Sequence, residues 1–315
     1  MRSKMARSFR MMGRERDNPF VSIIVPVLNG ERTIKKCMAS LLGTDYPAEL
    51  REVLVVDNGS TDRTADIVKS YPVSYLREER RGAPRARNRG IEASKGEILV
   101  FTDADCIVSR EWLRALVQPF GAQDVGGVAG EIVSFPPSTA AERYAARMRH
   151  LSPQLYLSRP LLPFAVFANL SFRREVFDQV GLLDGELFQG DSTDFCTRFL
   201  RGTSLKLAYA PKAVVFHRHR ETAWELFQQQ WSYGRGHALL YIKYRQEIPW
   251  GWGQSAVVYR DLGKALVAMA HGAVKYRLQG CNADELRFRY FEFLKKLAER
   301  LGFLRETLVR GYPYF

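Results

Sequence analysis

The sequence predicts an α/β protein with a mainly parallel sheet flanked by helices, followed by a C-terminal helical extension. Through the first half, short apolar runs rich in β-branched residues alternate with segments whose apolar residues recur at helical spacing. Polar clusters directly follow several of these runs. From residue 222 onwards the pattern is helical and amphipathic. Alternating strands and helices at this spacing favour parallel pairing, with helices on both faces of the sheet.

The first strand and helix show this pattern well. The stretch "VSIIVPVLN" (21–29) is a continuous β-prone run, and Ile34, Met38 and Leu41 share one face of a helix predicted over 31–43. Gly43 provides a C-cap for that helix. Further strands are predicted over 52–60, 73–76 and 98–101, with helices starting near Thr61 and spanning 86–93 and 112–120.

The second half alternates less regularly. We predict a strand over 126–135, a helix over 139–155, a strand, turn and helix within 163–184 that ends at Gly181, a helix over 191–202 and a strand over 213–220. Helices follow from residue 222, including 255–276 and 285–311. The chain therefore divides into a flexible basic arm (1–18), an α/β domain (19–220) and an amphipathic helical extension (221–315).

Charge narrows the classes of partner. The chain of 315 residues has 47 Lys and Arg against 34 Asp and Glu, a formal charge of +13. This excess favours polyanionic partners such as phosphorylated substrates or anionic lipid surfaces. No recognised RNA- or DNA-binding motif accompanies the charge, so no nucleic acid partner is expected.

The cysteines and the hydropathy pattern bear on location. The four cysteines form neither a CxxC pair nor a cluster with histidine at metal-ligand spacing: Cys37, Cys106, Cys196 and Cys281. This argues against a zinc site or a disulfide framework and favours a reducing, cytoplasmic compartment. The longest nearly apolar stretch, 255–276, is interrupted by charged residues, so no helix that crosses a membrane is expected.

Two acids, Asp103 and Asp105, directly follow the apolar run 98–101. In open α/β sheets, ligands bind beyond the carboxyl ends of the strands, and Asn29 and the polar stretch 57–60 occupy equivalent positions. Paired carboxylates suit a divalent cation that also binds substrate phosphates. The same pair also occurs in helix caps and Asx turns, so the acids alone leave both interpretations open.

Several motifs occur in a fixed order along the chain: "VPVLNGE", "VVDNGSTD", "GAPRARNRGIEASKGEILVFTDADC", "ANLSFRREVF", "GDSTDFCTR" and "VVFHRHR". Together they resemble the family 2 glycosyltransferases, which have the GT-A fold, a Rossmann-like α/β fold. The resemblance covers about residues 20–236. It implies inverting transfer of a sugar from a nucleotide-diphospho-sugar, with Mn²⁺ or Mg²⁺ as the cofactor.

The resemblance implies a donor site at the strand ends. Asp57 would hydrogen-bond the nucleotide base, and Arg87 would lie near the nucleotide or its phosphates. Asp103 would meet the ribose, and Asp105 would be the principal metal ligand, joined by His217. The residues implied to bind the nucleotide-sugar are Pro26, Val27, Asn29, Glu31, Asp57, Asn58, Arg87, Asp103 and Ala104. For Asn58, an Asx turn that leads into a helix cap is a competing interpretation.

The resemblance also implies a base that takes the proton of the acceptor hydroxyl. Family members commonly have the pattern GED-x-D, whereas this chain has "GDSTD", with Asp191 in place of Glu and Ser192 in place of the usual catalytic Asp. A serine of ordinary pKa cannot act as a base near neutrality. We therefore predict Asp191 as the base and Asp194 as the second candidate. A helix N-cap is the competing role for Asp191, and Asn169 is expected to line the acceptor pocket.

These inferences predict a glycosyltransferase that acts on a glycan or lipid-linked acceptor in cell-surface polysaccharide or glycolipid synthesis. The stretch "QQQWSYGRG" lacks the arginine that precedes tryptophan in processive members, which favours a non-processive enzyme. A nucleotidyltransferase would normally show a glycine-rich phosphate loop after its first strand, and this chain does not. A non-catalytic nucleotide-sugar-binding or membrane- or nucleic-acid-binding module on the same scaffold is the alternative, because Ser192 replaces the usual base.

The C-terminal aromatic residues interleave with Arg and Lys: Trp250, Trp252, Phe288, Tyr290, Phe291 and Phe293. This pattern is expected of helices that lie on an anionic membrane surface, here the cytoplasmic face of the inner membrane. Helices that pack on the α/β domain, or that form a homodimer, would show a similar pattern.

Overall fold

The computed structural model describes residues 18–148, 153–159, 162–247, 252–280 and 282–312. The basic arm up to residue 17, Trp250 and Cys281 lie outside the described residues. The strands are β1 (Val21–Val27), β2 (Arg51–Asp57), β3 (Ser74–Arg77), β4 (Ile98–Thr102), β5 (Cys106–Val108), β6 (Val125–Ser134), β7 (Asn169–Arg173) and β8 (Lys206–His217). The helices are α1 (Ile34–Leu42), α2 (Thr64–Lys69), α3 (Ala83–Ala93), α4 (Trp112–Val117), α5 (Ala140–Met148), α6 (Pro153–Leu157), α7 (Arg174–Val180), α8 (Asp191–Gly202), α9 (Ala223–Lys243), α10 (Trp252–Gln279) and α11 (Ala283–Val309).

Within the described residues, eight strands form one sheet in the order β3-β2-β1-β4-β7-β6-β8-β5. Strands β1 to β4 pair in parallel, as their alternation with helices predicts. Strand β7 is antiparallel to both β4 and β6, while β6 and β8 are parallel and β5 is antiparallel to β8. The predicted α/β class with a mainly parallel sheet is confirmed, with an antiparallel insertion in the second half.

Several boundaries differ from the predictions. Strand β1 ends at Val27 because Asn29 adopts a positive φ of 51° in the turn that follows. Strand β8 begins at Lys206, well before the predicted start at residue 213, because its first residues pair with β6 ahead of a register shift. Strand β5, which was not predicted, has only three residues. The helix predicted over 139–155 is described as α5 and α6, with residues 149–152 outside the described part.

Apolar side chains fill both faces of the sheet. Along β1, Ile23 and Val25 belong to one buried cluster with α1 and α4, whereas Ile24 belongs to a second cluster with α3, α7 and α8. Alternate residues of a strand point to opposite faces, so the two clusters lie on opposite sides. The second cluster is rich in phenylalanine, and Phe172 makes edge-on contacts with Phe195 and Phe199 of α8.

The C-terminal helices pack on one another and on the α/β domain. Helix α9 begins with a capping box formed by Thr222 and Glu225. It approaches α11 closely at Gly234 and Gly302, where any Cβ would collide with the backbone of the opposite helix. Among the described residues, no helix is both long enough and apolar enough to cross a membrane.

Two aromatic residues of α11 pack against α5, whereas Tyr290 of the same helix is 41% exposed. Phe288 and Phe291 lie against Tyr144 of α5, at ring-centroid distances of 5.1 and 5.6 Å. The Tyr144 hydroxyl donates a hydrogen bond of 2.7 Å to Glu292. At these positions the structure favours the packing interpretation over a membrane-facing role, and the exposed apolar residues of the extension concentrate on α10.

Candidate active site

A cavity of about 1020 Å³ opens beyond the carboxyl ends of β1 and β4, between the sheet and the C-terminal helices. The location follows the general rule for open α/β sheets. The sequence-predicted residues that line it are Pro26, Val27, Asn29, Arg87, Asp103, Ala104, Asp105, Asp191 and His217. Five separate stretches of the chain thus meet in one place.

Arg87 of α3 holds two of the predicted carboxylates. Its Nη1 atom donates to Asp191 at 2.7 Å and its Nη2 atom donates to Asp103 at 2.8 Å. The guanidinium also lies over the Phe167 ring, 4.9 Å from the centroid. Burial disfavours its charge, but attraction to Asp191 and Asp103 outweighs burial and raises the pKa of Arg87. Its Nε atom has no hydrogen-bond partner among the described residues.

Asp191 is the first residue of α8, directly after Gly190, whose φ of 87° is favoured by glycine. The side chain is 7% exposed and lines the cavity. Burial raises the pKa of Asp191, against the lowering effect of Arg87, and Asp103 adds to the rise. A buried carboxylate with a raised pKa is suited to accept a proton near neutrality. Asp191 therefore begins α8 and also lines the cavity.

Asp105 and His217 lie together because Cys106 of β5 pairs with His217 at the end of β8. The His217 Nε2 atom is 3.5 Å from Asp105 Oδ1, and among the described residues His217 Nδ1 has no hydrogen-bond partner. One ligand atom each of Asp105, Cys106 and His217 lies within 4.8 Å of the others. Burial raises the pKa of the Cys106 thiol well above its usual range, so carboxylate and imidazole are the suitable ligands. The Asp105 carboxylate suits a hard cation such as Mn²⁺ or Mg²⁺.

Three donor-site candidates have structural roles behind the cavity wall. Asp57 is fully buried, and its carboxylate accepts hydrogen bonds from the Ser60 N–H at 2.7 Å and the Tyr75 hydroxyl at 2.9 Å. Asn58 binds the loop before α3 through three hydrogen bonds to Glu78, Arg80 and Gly82, which is a long-range contact and not the local Asx turn of the competing interpretation. Glu31 accepts from the Arg63 N–H and lies outside the cavity lining.

Asn169 braces three strands. Its side chain donates to the carbonyls of Glu131 and Ala213, each at 2.8 Å, and accepts from the Trp112 indole at 2.8 Å. It is 1% exposed and does not line the cavity. The predicted contact with the acceptor is therefore replaced by a structural role, because each polar group of this side chain already has a partner inside the protein.

Asp194, the second candidate for the base, is also turned away from the cavity. It is fully buried and accepts hydrogen bonds from Arg198 at 3.0 Å and from the Tyr244 hydroxyl at 2.8 Å. Lys243 Nζ lies 2.6 Å away. Asp194 thus joins α8 to α9. Ser192 lines the cavity, and its hydroxyl accepts from the Phe167 N–H at 3.4 Å.

The C-terminal helices contribute cavity residues that the sequence analysis missed. Gln229, Tyr233 and His237 recur every fourth residue along α9 and line the cavity, joined by Lys295 and Glu299 of α11. The four-residue spacing of these polar side chains could have predicted a shared polar face, since residues four apart lie on one face of a helix. The predicted boundary at residue 220 therefore separates elements that build one site.

The fold and the site define a GT-A glycosyltransferase, and the comparisons agree. The model of the family described as "Glycosyl transferase family 2" matches residues 22–181, and the chain belongs to this family. It is 34% identical to the glycosyltransferase AglE of Haloferax volcanii over 226 residues, which are 69% of this chain and 73% of AglE. This membership confirms the resemblance and supports an enzyme over a non-catalytic module.

Two further matches are informative. The chain is 24% identical to a dolichyl N-acetyl-alpha-D-glucosaminyl phosphate 3-beta-D-2,3-diacetamido-2,3-dideoxy-beta-D-glucuronosyltransferase of Methanococcus voltae, over 73% of this chain and 77% of that protein. The structure of mannosyltransferase PcManGT from Pyrobaculum calidifontis, in complex with GDP-Man and Mn²⁺, matches with a TM-score of 0.66 at 18% identity. That match covers 98% of this chain and 94% of the other, so the same fold includes the C-terminal helices.

Proposed function

We propose that this glycosyltransferase moves a sugar, with inversion, from a nucleotide-diphospho-sugar to a glycan or lipid-linked acceptor, and that it uses Mn²⁺ or Mg²⁺. The observation that carries the proposal is the arrangement of Asp105 with His217 beside the Arg87-bound pair Asp103 and Asp191 in one cavity. The names of the Methanococcus and Pyrobaculum proteins, which include a dolichyl-linked sugar phosphate and GDP-Man with Mn²⁺, support this choice of substrates and metal.

Each residue has a defined part in the proposed reaction. Asp105 and His217 would hold the cation, which when bound neutralises charge on the leaving diphosphate. Asp191 takes the proton from the acceptor hydroxyl. The acceptor oxygen forms a bond to the anomeric carbon on one face, and the bond from that carbon to the diphosphate oxygen breaks on the other. Arg87 fixes the Asp191 carboxylate through a charged hydrogen bond.

Thermal unfolding with a panel of UDP-, GDP- and dTDP-sugars, each with and without Mn²⁺, tests the donor site. We expect one donor to raise the unfolding midpoint only with Mn²⁺, since a ligand at 100 times its dissociation constant adds about 2.7 kcal/mol to the free energy of unfolding. Asp105→Ala should remove the shift. Asp45→Ala, which changes a half-exposed acid paired with Arg114, should keep it. A panel without any metal-dependent shift in the wild type would contradict the proposal.

We also propose that α10 rests on an anionic bilayer. Its exposed valine and leucine residues are Val257, Leu266, Val267, Val274 and Leu278, of which Val267 is 68% and Leu278 76% exposed. Basic residues are interspersed along the same helix: Arg260, Lys264, Lys275 and Arg277. Exposed aliphatic residues beside positive charges complement a surface of negative headgroups over an apolar interior. The buried free thiols of Cys37, Cys106 and Cys196 support the cytoplasmic face as the location.

Vesicle flotation tests this surface. The wild type should float with vesicles that contain phosphatidylglycerol and stay behind with vesicles of phosphatidylcholine alone. Val267→Glu combined with Val274→Glu should lower the bound fraction about tenfold or more, because two negative charges are added at the contact. Leu182→Glu, at an exposed apolar residue outside α10, should have no effect. If the double variant instead converts a dimer to a monomer and the wild type does not float, α10 is a dimer surface.

A further inference from the structure

The end of the cavity formed by α6, α9 and α11 contains a group of basic side chains from three distant parts of the chain. Arg159 follows α6, His237 lies on α9 and Lys295 on α11, and all three line the cavity. The acid among them is Glu299, one turn after Lys295. Three basic residues beside one acid in the lining of a cavity indicate a binding site for an anion.

Arg159 is held in place without an acidic partner. Its guanidinium lies over the rings of Tyr156 and Phe164, 4.8 and 5.2 Å from their centroids, and these two rings stack at 4.5 Å. Among the described residues, no ion pair joins the exposed Arg159 to a carboxylate. A guanidinium fixed on aromatic faces keeps its planar set of N–H donors free for an oxyanion, and less side-chain freedom is lost on binding.

Lys295 and His237 complete the group. The Lys295 Nζ atom is 3.9 Å from Glu299, a long ion pair, and burial raises the pKa of Glu299. The surrounding protein atoms, followed by the positive charges of Arg159 and Lys295, lower the imidazole pKa of His237, whose side chain is exposed to the open cavity. The imidazole is therefore neutral near pH 7 and keeps one N–H donor. Gly234 packs against Glu299 and Gly302 packs against Trp231, so α9 and α11 run antiparallel and His237 lies beside the turn of α11 that contains Lys295.

This group is distinct from the donor half of the cavity. Tyr233 lies one turn before His237 on the face of α9 that lines the cavity. The basic residues beside the acids already have acidic partners: Arg220 is 4.0 Å from Asp105, and Arg218 is 2.6 Å from Glu221. In the proposed reaction the leaving diphosphate would lie beside the cation held by Asp105 and His217, so the Arg159 end is left for a different anion.

We propose that Arg159, His237 and Lys295 bind a phosphate group carried by the acceptor, so that the enzyme glycosylates a phosphorylated molecule. This inference rests on the proposed function, since it takes the cavity as the place of sugar transfer. Gly236, next to His237, packs directly against Gln189 in the turn before Asp191. A phosphate bound at this end would thus place the rest of the acceptor near the predicted base.

Calorimetric titration without added metal tests the site with three probes: inorganic phosphate, a hexose 1-phosphate and a short-chain polyprenyl monophosphate in neutral micelles. We expect at least one probe to bind the wild type, and Arg159→Gln with Lys295→Gln to raise its dissociation constant about tenfold or more. Tighter binding of the polyprenyl phosphate identifies a lipid source of the phosphate. Tighter binding of the hexose 1-phosphate identifies a water-soluble one.

Matched controls come from neighbouring side chains. Arg147 stacks on Phe288 at 4.3 Å outside this cavity, and Lys296 pairs with Glu292 at 3.3 Å. Arg147→Gln with Lys296→Gln should bind the probes within about twofold of the wild type. The Arg159→Gln, Lys295→Gln variant should keep its metal-dependent donor response, which shows that it folds.

Three results would overturn the inference. The wild type binds none of the probes, the Arg159→Gln, Lys295→Gln variant binds them as tightly as the wild type, or Asp105→Asn abolishes phosphate binding. Failure of the phosphate titrations with an intact donor response rejects only the acceptor site. Loss of the donor response in the wild type rejects the proposed function instead, so the two failures are distinguishable.

Discussion

Asp191→Asn is expected to lower the turnover number about 10²- to 10⁴-fold, the usual contribution of a general base. An amide of nearly the same shape preserves the start of α8 and can still contact Arg87, but it cannot take a proton from the acceptor hydroxyl. Donor affinity should change little, because Asp105 and His217 are untouched. Steady-state turnover and donor binding, measured on the same preparation, separate the two effects.

The pH dependence of turnover gives a second measure of Asp191. Burial raises its pKa, and a base works only when deprotonated, so turnover should fall as the pH drops through this raised value. The acidic limb of the profile should disappear in the residual activity of Asp191→Asn. Asp194→Asn and Ser192→Ala are the informative comparisons. If Ser192→Ala or Asp194→Asn abolishes transfer while Asp191→Asn remains active, the assignment of the base is wrong.

The sequence was sufficient to predict the side chains that follow strands. Asp103 and Asp105 come directly after β4, and the carboxyl ends of neighbouring parallel strands must meet at one edge of the sheet. His217 could be placed near them only through the family resemblance. Its contact with Asp105 depends on the antiparallel register of β5 with β8, and β5 is too short to give a pattern of its own.

The roles of side chains that contact residues distant in the sequence could not be predicted from the sequence. Whether Asp57 faces a ligand or the interior depends on Tyr75, which lies 18 residues later and donates to its carboxylate. Asn169 becomes a brace through Glu131, Ala213 and Trp112, none of which is near it in sequence. The aromatic and basic residues of the C-terminal helices likewise fit packing, membrane and cavity roles equally well until the approach of α9 to α11 is known.

Arg87→Met is expected to lower the free energy of unfolding by about 3–5 kcal/mol, the usual cost of removing one partner from a buried ion pair. Arg87 has a side chain only 7% exposed, and its loss leaves Asp103 and Asp191 without the cation that holds them. Arg85→Met is the matched control two residues earlier, because Arg85 pairs with the largely exposed Glu186. That change should cost about 1 kcal/mol or less in urea unfolding.

The pH dependence of stability separates the loss of the Arg87 charge from the loss of its packing against Phe167. Without Arg87, the pKa of Asp191 rises further, and the penalty for burying its charge exists only above that pKa. The difference in free energy of unfolding between the wild type and Arg87→Met should therefore become smaller as the pH falls through the raised pKa of Asp191. Arg87→Met combined with Asp191→Asn should also be more stable near neutrality than Arg87→Met alone, since one unpaired charge is gone. A gap that is independent of pH and unchanged in the double variant would show that Arg87 acts through its contact with Phe167 and not through its charge.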